Sequence, residues 1–262
     1  MQKYQGEGER RWIDQLTHEI EKAMAEKRSY TTPFLNPLRR KIAEEVLATY
    51  PQAEHLLFGG YPGAQRVRLS LWPADTPSVS SFPPVTAVRI QGQLEGQLDI
   101  KQMHERDVLG SLMEMGLSRD ALGDLIWDST GSMLQIIVNP DQVNLVLNMQ
   151  RLEDRPIYGE EIPLEELEVT PGKSKEIKGT VASLRLDSVI SLGLGVSRSR
   201  ASQLAKSGQV LVNYRKETSP SHKLLLGDVI SITPGGSNLQ ILSLEGESRK
   251  NRQRISLKKF YL

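Results

Sequence analysis

RLDSVISLGLGVSRSRASQLAKSGQVLVNYRKETSPSHKLLLGDVISI, residues 185–232, is the stretch from which the rest of the fold is read. Leu186, Val189, Ile190 and Leu194 recur at helical spacing, which sets them on one side of a helix that Gly193 and Gly195 bring to an end. Ser197 stands where an N-cap belongs, ahead of a second helix of about ten residues that Gly208 stops in a left-handed conformation. At about 100° per residue, Ala201, Leu204 and Ala205 gather on one side of that helix, and Arg198, Ser199, Ser202 and Lys206 on the other. Val210 and Val212 then alternate as in a half-buried strand, Asn213 to Lys216 turn the chain, and Gly227-Asp228 leads into a short strand, Val229 to Ile232. The pattern predicts two helices packed on a small, strongly bent sheet.

Arg185-Leu186-Asp187, Ser197-Arg198, Ala201, Gly208, Val210, Val212-Asn213, Lys216 and Gly227-Asp228, in this order and spacing, resemble the S4 domain, an RNA-binding fold of αL type named after a small-subunit ribosomal protein. In that family the second helix and the following hairpin turn lie against structured RNA. The resemblance implies RNA contact by Arg185, Ser197, Arg198, Ser199, Arg200, Gln203, Lys206, Asn213, Tyr214, Arg215 and Lys216. Arg198, Arg200, Lys206 and Lys216 take the phosphate-contacting roles. Asp187 reads as structural, a partner for a nearby arginine. Tyr214 departs from the pattern, because many S4 domains place there the Gly of an Asn-Gly turn and Tyr enters a positive-φ turn less easily. Its ring either stacks on a base or covers the sheet edge.

Charge is distributed to match. The chain carries a net charge of +1, but residues 171–262 hold 16 Lys+Arg against 6 Asp+Glu, and residues 1–170 hold 17 against 26. A basic third on an acidic body is the footprint of a nucleic-acid surface confined to one end. Arg249, Lys250, Arg252, Arg254, Lys258 and Lys259 extend it as a basic tail suited to phosphate contact.

At 262 residues, 38% hydrophobic and 25% charged, the chain has the composition of a soluble protein of two or three domains. The absence of Cys excludes disulfides, Cys-ligated zinc and thiol catalysis, and fits a reducing compartment. No signal peptide, transit segment or run of eighteen apolar residues is visible, so a cytoplasmic location is expected.

The chain opens with an amphipathic helix in which Trp12, Ile13, Leu16, Ile20 and Met24 share a face. Asn36 caps a second helix with Pro37 in its first turn, running to about Tyr50. Strand-like segments from His55 to Phe58 and from Arg66 to Trp72 flank the turn GGYPGA, and a Pro- and Ser-rich loop covers residues 73–84. Beyond it, Val85 to Ile90 reads as a strand, and Asp107 to Met115 as a helix with Val108, Leu109, Leu112 and Met113 inward. Leu125 to Trp127 and Met133 to Val138 pair across Ser129-Thr130-Gly131, and a helix follows from Pro140 to about Arg151. These lengths predict an α+β layer, one antiparallel sheet with helices on one face. The acidic run Glu160 to Glu168 reads as a solvated face and, with Pro171-Gly172-Lys173, as the boundary to the last domain. The division is residues 1–84, an N-terminal helical and hairpin region; 85–170, an α+β domain; and 171–262, the S4 domain.

FLNP, GGYPGAQRVRLSLWP, HERDVLGSLMEMGLSRDALGDLIW and the S4 stretch together resemble the YlmH family over nearly the whole chain, and an aromatic at Tyr214 suits that family. Its photosynthetic members are catalogued as photosystem II S4-domain proteins. The resemblance implies that residues 85–170 form an RNA-recognition-like, ferredoxin-like α/β sandwich. It also implies association with the large ribosomal subunit, contact with ribosomal RNA and tRNA, and rescue of stalled large subunits carrying peptidyl-tRNA.

Catalytic motifs fail on inspection. His104, Glu105, Arg106 and Asp107 form a dense polar cluster, but consecutive helical residues diverge, and acidic residues suit a helix N-terminus. Arg106 and Arg119 are the middle domain's candidates for RNA contact, although paired stacking aromatics are lacking. Pro171-Gly172-Lys173-Ser174 has Leu167 where a phosphate-binding loop needs Gly, and Gly193-Leu194-Gly195 has Arg198 in place of the third Gly of a dinucleotide loop. His18, His55, His104 and His222 lack metal-ligand spacing. The reading is a non-enzymatic RNA-binding protein with no cofactor, no metal, no membrane and no small-molecule substrate. Its rivals are an RNA-modifying enzyme or accessory factor of the pseudouridine synthase or rRNA methyltransferase type, and a photosystem II assembly or cell-division factor.

Overall fold

The computed structural model describes residues 7–75, 84–92, 105–128, 132–152, 155–169, 174–233, 236–247 and 252–261. The chain divides into two compact units, Met1–Thr170 and Pro171–Leu262.

The first unit begins with α1 (Glu7–Glu26), whose Trp12, Leu16, Ile20 and Ala23 are buried. β1 (Tyr30–Thr31) follows, then α2 (Pro37–Leu47), where the Asn36 side chain accepts the Arg39 N–H at 2.8 Å. α2 stops at Leu47, short of Tyr50, because the chain turns at Ala48 to enter β2 (Ala53–Phe58). β2 and β3 (Arg68–Pro73) form a hairpin in a three-stranded antiparallel sheet of order β1-β3-β2. Ile42, Val46, Leu69 and Leu71 close the core against α1.

The rest of this unit is β4 (Thr86–Gly92), α3 (Glu105–Glu114), β5 (Leu122–Trp127), β6 (Met133–Val138), α4 (Val143–Leu147), β7 (Arg151–Leu152) and β8 (Arg155–Ile162). The sheet order β5-β6-β4-β8-β7, antiparallel throughout, is the βαββαβ arrangement of a ferredoxin-like fold with β7 added at one edge. Val88, Ile90, Leu134, Ile136 and Val138 face α3 and α4, where Val108, Leu112 and Val146 complete the core.

Two expectations fail here. Met113 is 51% exposed rather than inward, since it lies about 100° round the helix from the buried Leu112. The helix expected from Pro140 to Arg151 is a 3₁₀ turn, Pro140–Gln142, and the five-residue α4. It ends at Asn148 because Leu152 is needed in the core, so Arg151 and Leu152 become a strand. The Ser129-Thr130-Gly131 turn, most of the Pro- and Ser-rich loop and His104 lie outside the described residues, as does the side chain of Arg106.

Buried polar groups join the two parts of this unit. Arg66, 9% exposed, donates from Nε to the Leu122 carbonyl at 2.7 Å and from its guanidinium to the carbonyls of Arg119 at 2.8 Å and Phe34 at 3.3 Å. Asp124 in turn accepts from the Tyr61 hydroxyl and the Gln65 and Arg66 N–H groups. Burial of polar groups is tolerated when each is hydrogen-bonded, which this network achieves.

The second unit comprises β9 (Ser174–Val181), α5 (Leu186–Leu194), α6 (Arg198–Lys206), β10 (Val210–Val212), β11 (Arg215–Lys216), β12 (Val229–Ile232), β13 (Ser237–Glu247) and β14 (Gln253–Tyr261). Its strands form a six-stranded sheet of order β11-β10-β12-β13-β14-β9, antiparallel at every pairing. Val189, Ile190, Ala201, Leu204 and Ala205 from the two helices pack on Val210, Ile230, Leu239, Ile241, Ile255 and Leu257. Gly193 lets α5 sit close to the sheet: a Cβ there would fall 2.4 Å from Leu239 Cδ1. The basic tail is corrected by this topology. Residues 253–261 are an interior strand, with Ile255 and Leu257 buried, while Arg254 and Lys258 remain exposed. Arg249 and Lys250 lie outside the described residues.

Candidate RNA interface

α6 carries most of the residues that its amphipathic pattern singles out. Gly195, at φ +67°, ends α5, and Ser197 caps α6 by accepting the Arg200 N–H at 3.2 Å. Ala201, Leu204 and Ala205 are buried, and Ser197, Arg198, Ser199, Arg200, Gln203 and Lys206 are exposed. Arg200 donates to Gln203 Oε1 at 2.9 Å, one turn further on. The unsatisfied N–H groups of the helix start add positive potential beside Arg198 and Arg200, a combination suited to phosphate.

Asp187 organises the arginines. Its side chain is 8% exposed and accepts from Arg185 at both oxygens, 3.2 Å each, and from Arg198 at 2.9 Å. Burial works to raise the Asp187 pKa, but the hydrogen bonds from Arg185 and Arg198 outweigh it and hold the carboxyl below its ordinary value. The Ser188 hydroxyl makes a further contact, and the Asp187 N–H is anchored on the Pro220 carbonyl at 3.0 Å. Arg185 and Arg198 are still 39% and 56% exposed, so each guanidinium keeps donors for a ligand while its position is fixed.

The β10–β11 hairpin supplies the remaining residues. Val212 pairs with Arg215, and the two residues between them, Asn213 and Tyr214, both have positive φ, 49° and 66°. That is a type I′ turn, with Tyr214 in the position that Gly favours. Asn213 is held from both ends of its amide: Nδ2 donates to Asp228 at 2.8 Å and Oδ1 accepts the Val229 N–H at 3.2 Å. Its role is to fix the turn, and its side chain is committed to the protein. Tyr214 and Arg215 are half-buried and Lys216 is exposed. Lys216 lies across Gly208, where an added Cβ would meet its Cε at 2.2 Å, so its ammonium sits at the C-terminal end of α6, which favours a cation.

The structure thus brings Arg185 and Arg198 together through Asp187, Arg200 together with Gln203, and Lys216 to the end of α6. The sequence pattern missed Lys223, which is exposed and whose backbone bridges that of Arg185. It also missed the exposed Arg254 and Lys258 as strand residues; the alternation of apolar Ile255 and Leu257 with polar Arg254, Ser256 and Lys258 is the sequence signal that could have found them. In the first unit, Arg119 is turned inward toward the carbonyls of Leu122 and Gly123, at 3.3 and 3.2 Å, so it serves the fold. Among the described residues no group of His and acidic side chains has metal-holding geometry, and no helix is long and apolar enough to cross a membrane.

Two helices on a bent sheet, with a basic helical face and a type I′ hairpin beside it, define an S4-domain protein of the RNA-binding class. The S4 domain model matches residues 184–230. Residues 7–76 match the model described as "YlmH, N-terminal" and residues 93–166 that described as "Putative RNA-binding domain in YlmH". The chain is 31% identical to the ribosome-associated protein quality control protein P2 of Bacillus subtilis over 257 residues, covering 96% of this chain and 95% of that protein. It belongs to the YlmH family. Small ribosomal subunit protein uS4 of Thermus thermophilus is 34% identical over 105 residues, 38% of this chain and 50% of that protein. A solved structure, the cell division protein ylmH from Streptococcus pneumoniae, matches at 22% identity and a TM-score of 0.49, over 64% of this chain and 98% of that one.

Proposed function

We propose that the protein is a non-enzymatic, cytoplasmic RNA-binding factor that holds ribosomal RNA, and with it tRNA, on the large ribosomal subunit in the service of translation quality control. The single observation that carries this is the Asp187 clamp. A nearly buried carboxylate fixes two half-exposed arginines beside a basic helix start, which arranges positive charge without neutralising the outward-facing donors. Arg185, Arg198, Ser199, Arg200, Gln203, Lys206, Arg215 and Lys216 contact the RNA backbone, and Tyr214 meets a base. Ser197 and Asn213 support the surface as cap and turn residue.

The full-length similarity to a protein named for ribosome-associated quality control supports the ribosome as the partner. In this reading, residues 1–84 and 85–170 form an acidic body and residues 171–262 the RNA-holding domain. The test is sucrose-gradient fractionation of lysate at low and high salt, followed by immunodetection. Co-migration with free large subunits at low salt, lost at high salt, is the expected outcome, since counterion release makes phosphate contacts salt-sensitive. Sedimentation at the top of the gradient under both conditions would overturn it.

A further inference from the structure

The ferredoxin-like sheet of the first unit has α3 and α4 on one face, and its other face is the one that RNA-recognition folds offer to single-stranded RNA. Cross-strand register sorts that second face into three rows. Ile162, Ala87 and Ile137 make an apolar row; Glu160, Arg89, Gln135 and Ile126 a polar one; and Tyr158, Gln91 and Met133 the outermost. The apolar row is buried beneath Phe34 and the chain's own residues 163–169, of which Leu164, Leu167 and Val169 pack on it.

The same strap seals the polar row. Gln135, with no exposed surface, donates to the Glu168 carbonyl at 3.3 Å and accepts the Glu168 N–H at 2.9 Å. Arg89, 17% exposed, is held by Glu160 at 3.2 Å and by Glu166, from the strap, at 3.4 Å, while its Nε is buried without a hydrogen-bond partner. The acidic run is therefore no plain solvated face: two of its carboxylates occupy a sheet-centre arginine as phosphate oxygens would. The outermost row stays open, with Tyr158 53% exposed.

We propose that residues 163–169 are an autoinhibitory strap over a second RNA site, and that single-stranded RNA is the ligand it excludes. Displacing the strap removes Glu166 from the Arg89 guanidinium and leaves Glu160 of β8 on its other terminal nitrogen. One end of the fork becomes available for a phosphate and the Gln135 amide for a base edge, while Tyr158 provides a stacking surface at the open end. Two features favour single-stranded over duplex RNA: the exposed Tyr158 ring on a sheet face suits an unstacked base, and, among the described residues of the three rows, Arg89 as the single cation suits one strand. The inference rests on the RNA reading of this family only for ligand class; its residues are separate from those of the S4 unit.

The test uses the full chain with Arg200→Glu and Lys206→Glu, so that binding through α6 does not mask the result, and a fluorescein-labelled ten-nucleotide oligouridylate as probe. Adding Leu164→Ser and Leu167→Ser to loosen the strap is expected to raise affinity for the probe at least tenfold, and further addition of Arg89→Gln or Tyr158→Ala to abolish the gain. A folded, loosened variant without gain, or with a gain indifferent to Arg89 and Tyr158, overturns the proposal. If loosening unfolds the unit, amide hydrogen exchange of the unmodified chain decides. The Glu168 and Val169 amides should exchange at least a hundredfold faster than that of Ile136 if the strap opens by itself, and equal rates would sink the idea. Failure of the S4 reading shows up separately, as indifference of RNA binding to Arg200→Glu and Lys206→Glu alone.

Discussion

Arg198, the first residue of α6, reaches back to Asp187 in the first turn of α5 and donates to its Oδ2 at 2.9 Å, on the same carboxylate that Arg185 grips. The two helices of the S4 unit are thereby tied at their N-terminal ends by the arginines proposed to meet the RNA. Asp187→Asn keeps the shape but removes the charge, leaving both guanidinium groups without their anchor. The variant should lose about 1–3 kcal/mol of stability at neutral pH, the range for stranding a nearly buried partner of charged donors. Because the native carboxyl is held below its ordinary value of 3.8, its contribution is present above that pH and fades as pH falls through the lower native value. Thermal melts of the two proteins should therefore differ at pH 7 and draw together as the pH is taken progressively below 3.8; a gap that does not narrow in acid would assign the loss to packing.

Arg200→Glu with Lys206→Glu is the cleaner probe of the proposed RNA face. Both side chains are exposed and neither touches Asp187, whereas Arg198→Glu sets a carboxylate against Asp187 and costs folding as well as binding. The double variant should melt within about 0.5 kcal/mol of the parent. Two lost phosphate contacts should flatten the slope of log affinity against log salt by about 1.8, read by filter binding with large-subunit RNA. An unchanged slope in a folded protein would place the contact elsewhere.

What the sequence displayed depended on how local the signal was. The α5–α6 pair, the Ser197 cap and the two stops at Gly195 and Gly208 are written in nearest-neighbour spacing, and the structure keeps them all. β13 and β14 were not legible as strands. Register shifts between Ile241 and Ser243 and between Leu244 and Glu247 break the alternation of the first, and the basic residues of the second read as a tail. The Asp187 clamp was half legible, since a buried acid beside arginines demands a partner, but that it holds Arg185 and Arg198 together depends on how the α5–α6 turn folds. The strap over β4 and β6 was invisible, because pairing Gln135 with the Glu168 backbone joins residues 33 positions apart.

In the first unit, Arg66 gives the sharpest test of how the N-terminal part is held to the ferredoxin-like sheet. It serves three carbonyls from two stretches of chain, and burial pushes its pKa down to about 10, a sign of how far it is removed from water. Arg66→Met fills much of the volume but satisfies none of the carbonyls. The loss should be about 3 kcal/mol, from stranded acceptors in a buried site. Urea unfolding followed by tryptophan fluorescence, with Trp12 and Trp72 in one part and Trp127 in the other, should show the midpoint fall. A midpoint within about 0.5 kcal/mol of the parent would mean the carbonyls find other donors.

Tyr214 sits at φ +66°, where a side chain costs about 1–2 kcal/mol that Gly avoids. A residue kept there against its backbone preference points to work done by its ring. Tyr214→Gly completes an Asn-Gly turn, the favoured pair for a type I′ hairpin, so the variant should melt no lower than the parent and up to about 1 kcal/mol higher, after allowing for the looser unfolded chain. If the ring stacks on a base, affinity for large-subunit RNA should fall at least fivefold, in line with about 1–3 kcal/mol per stacked base. Tyr214→Phe, which keeps the ring, should bind as the parent does. The opposite pattern, a lower melting temperature with affinity unchanged, would show that the ring covers the sheet edge and that backbone strain at this position is offset by packing.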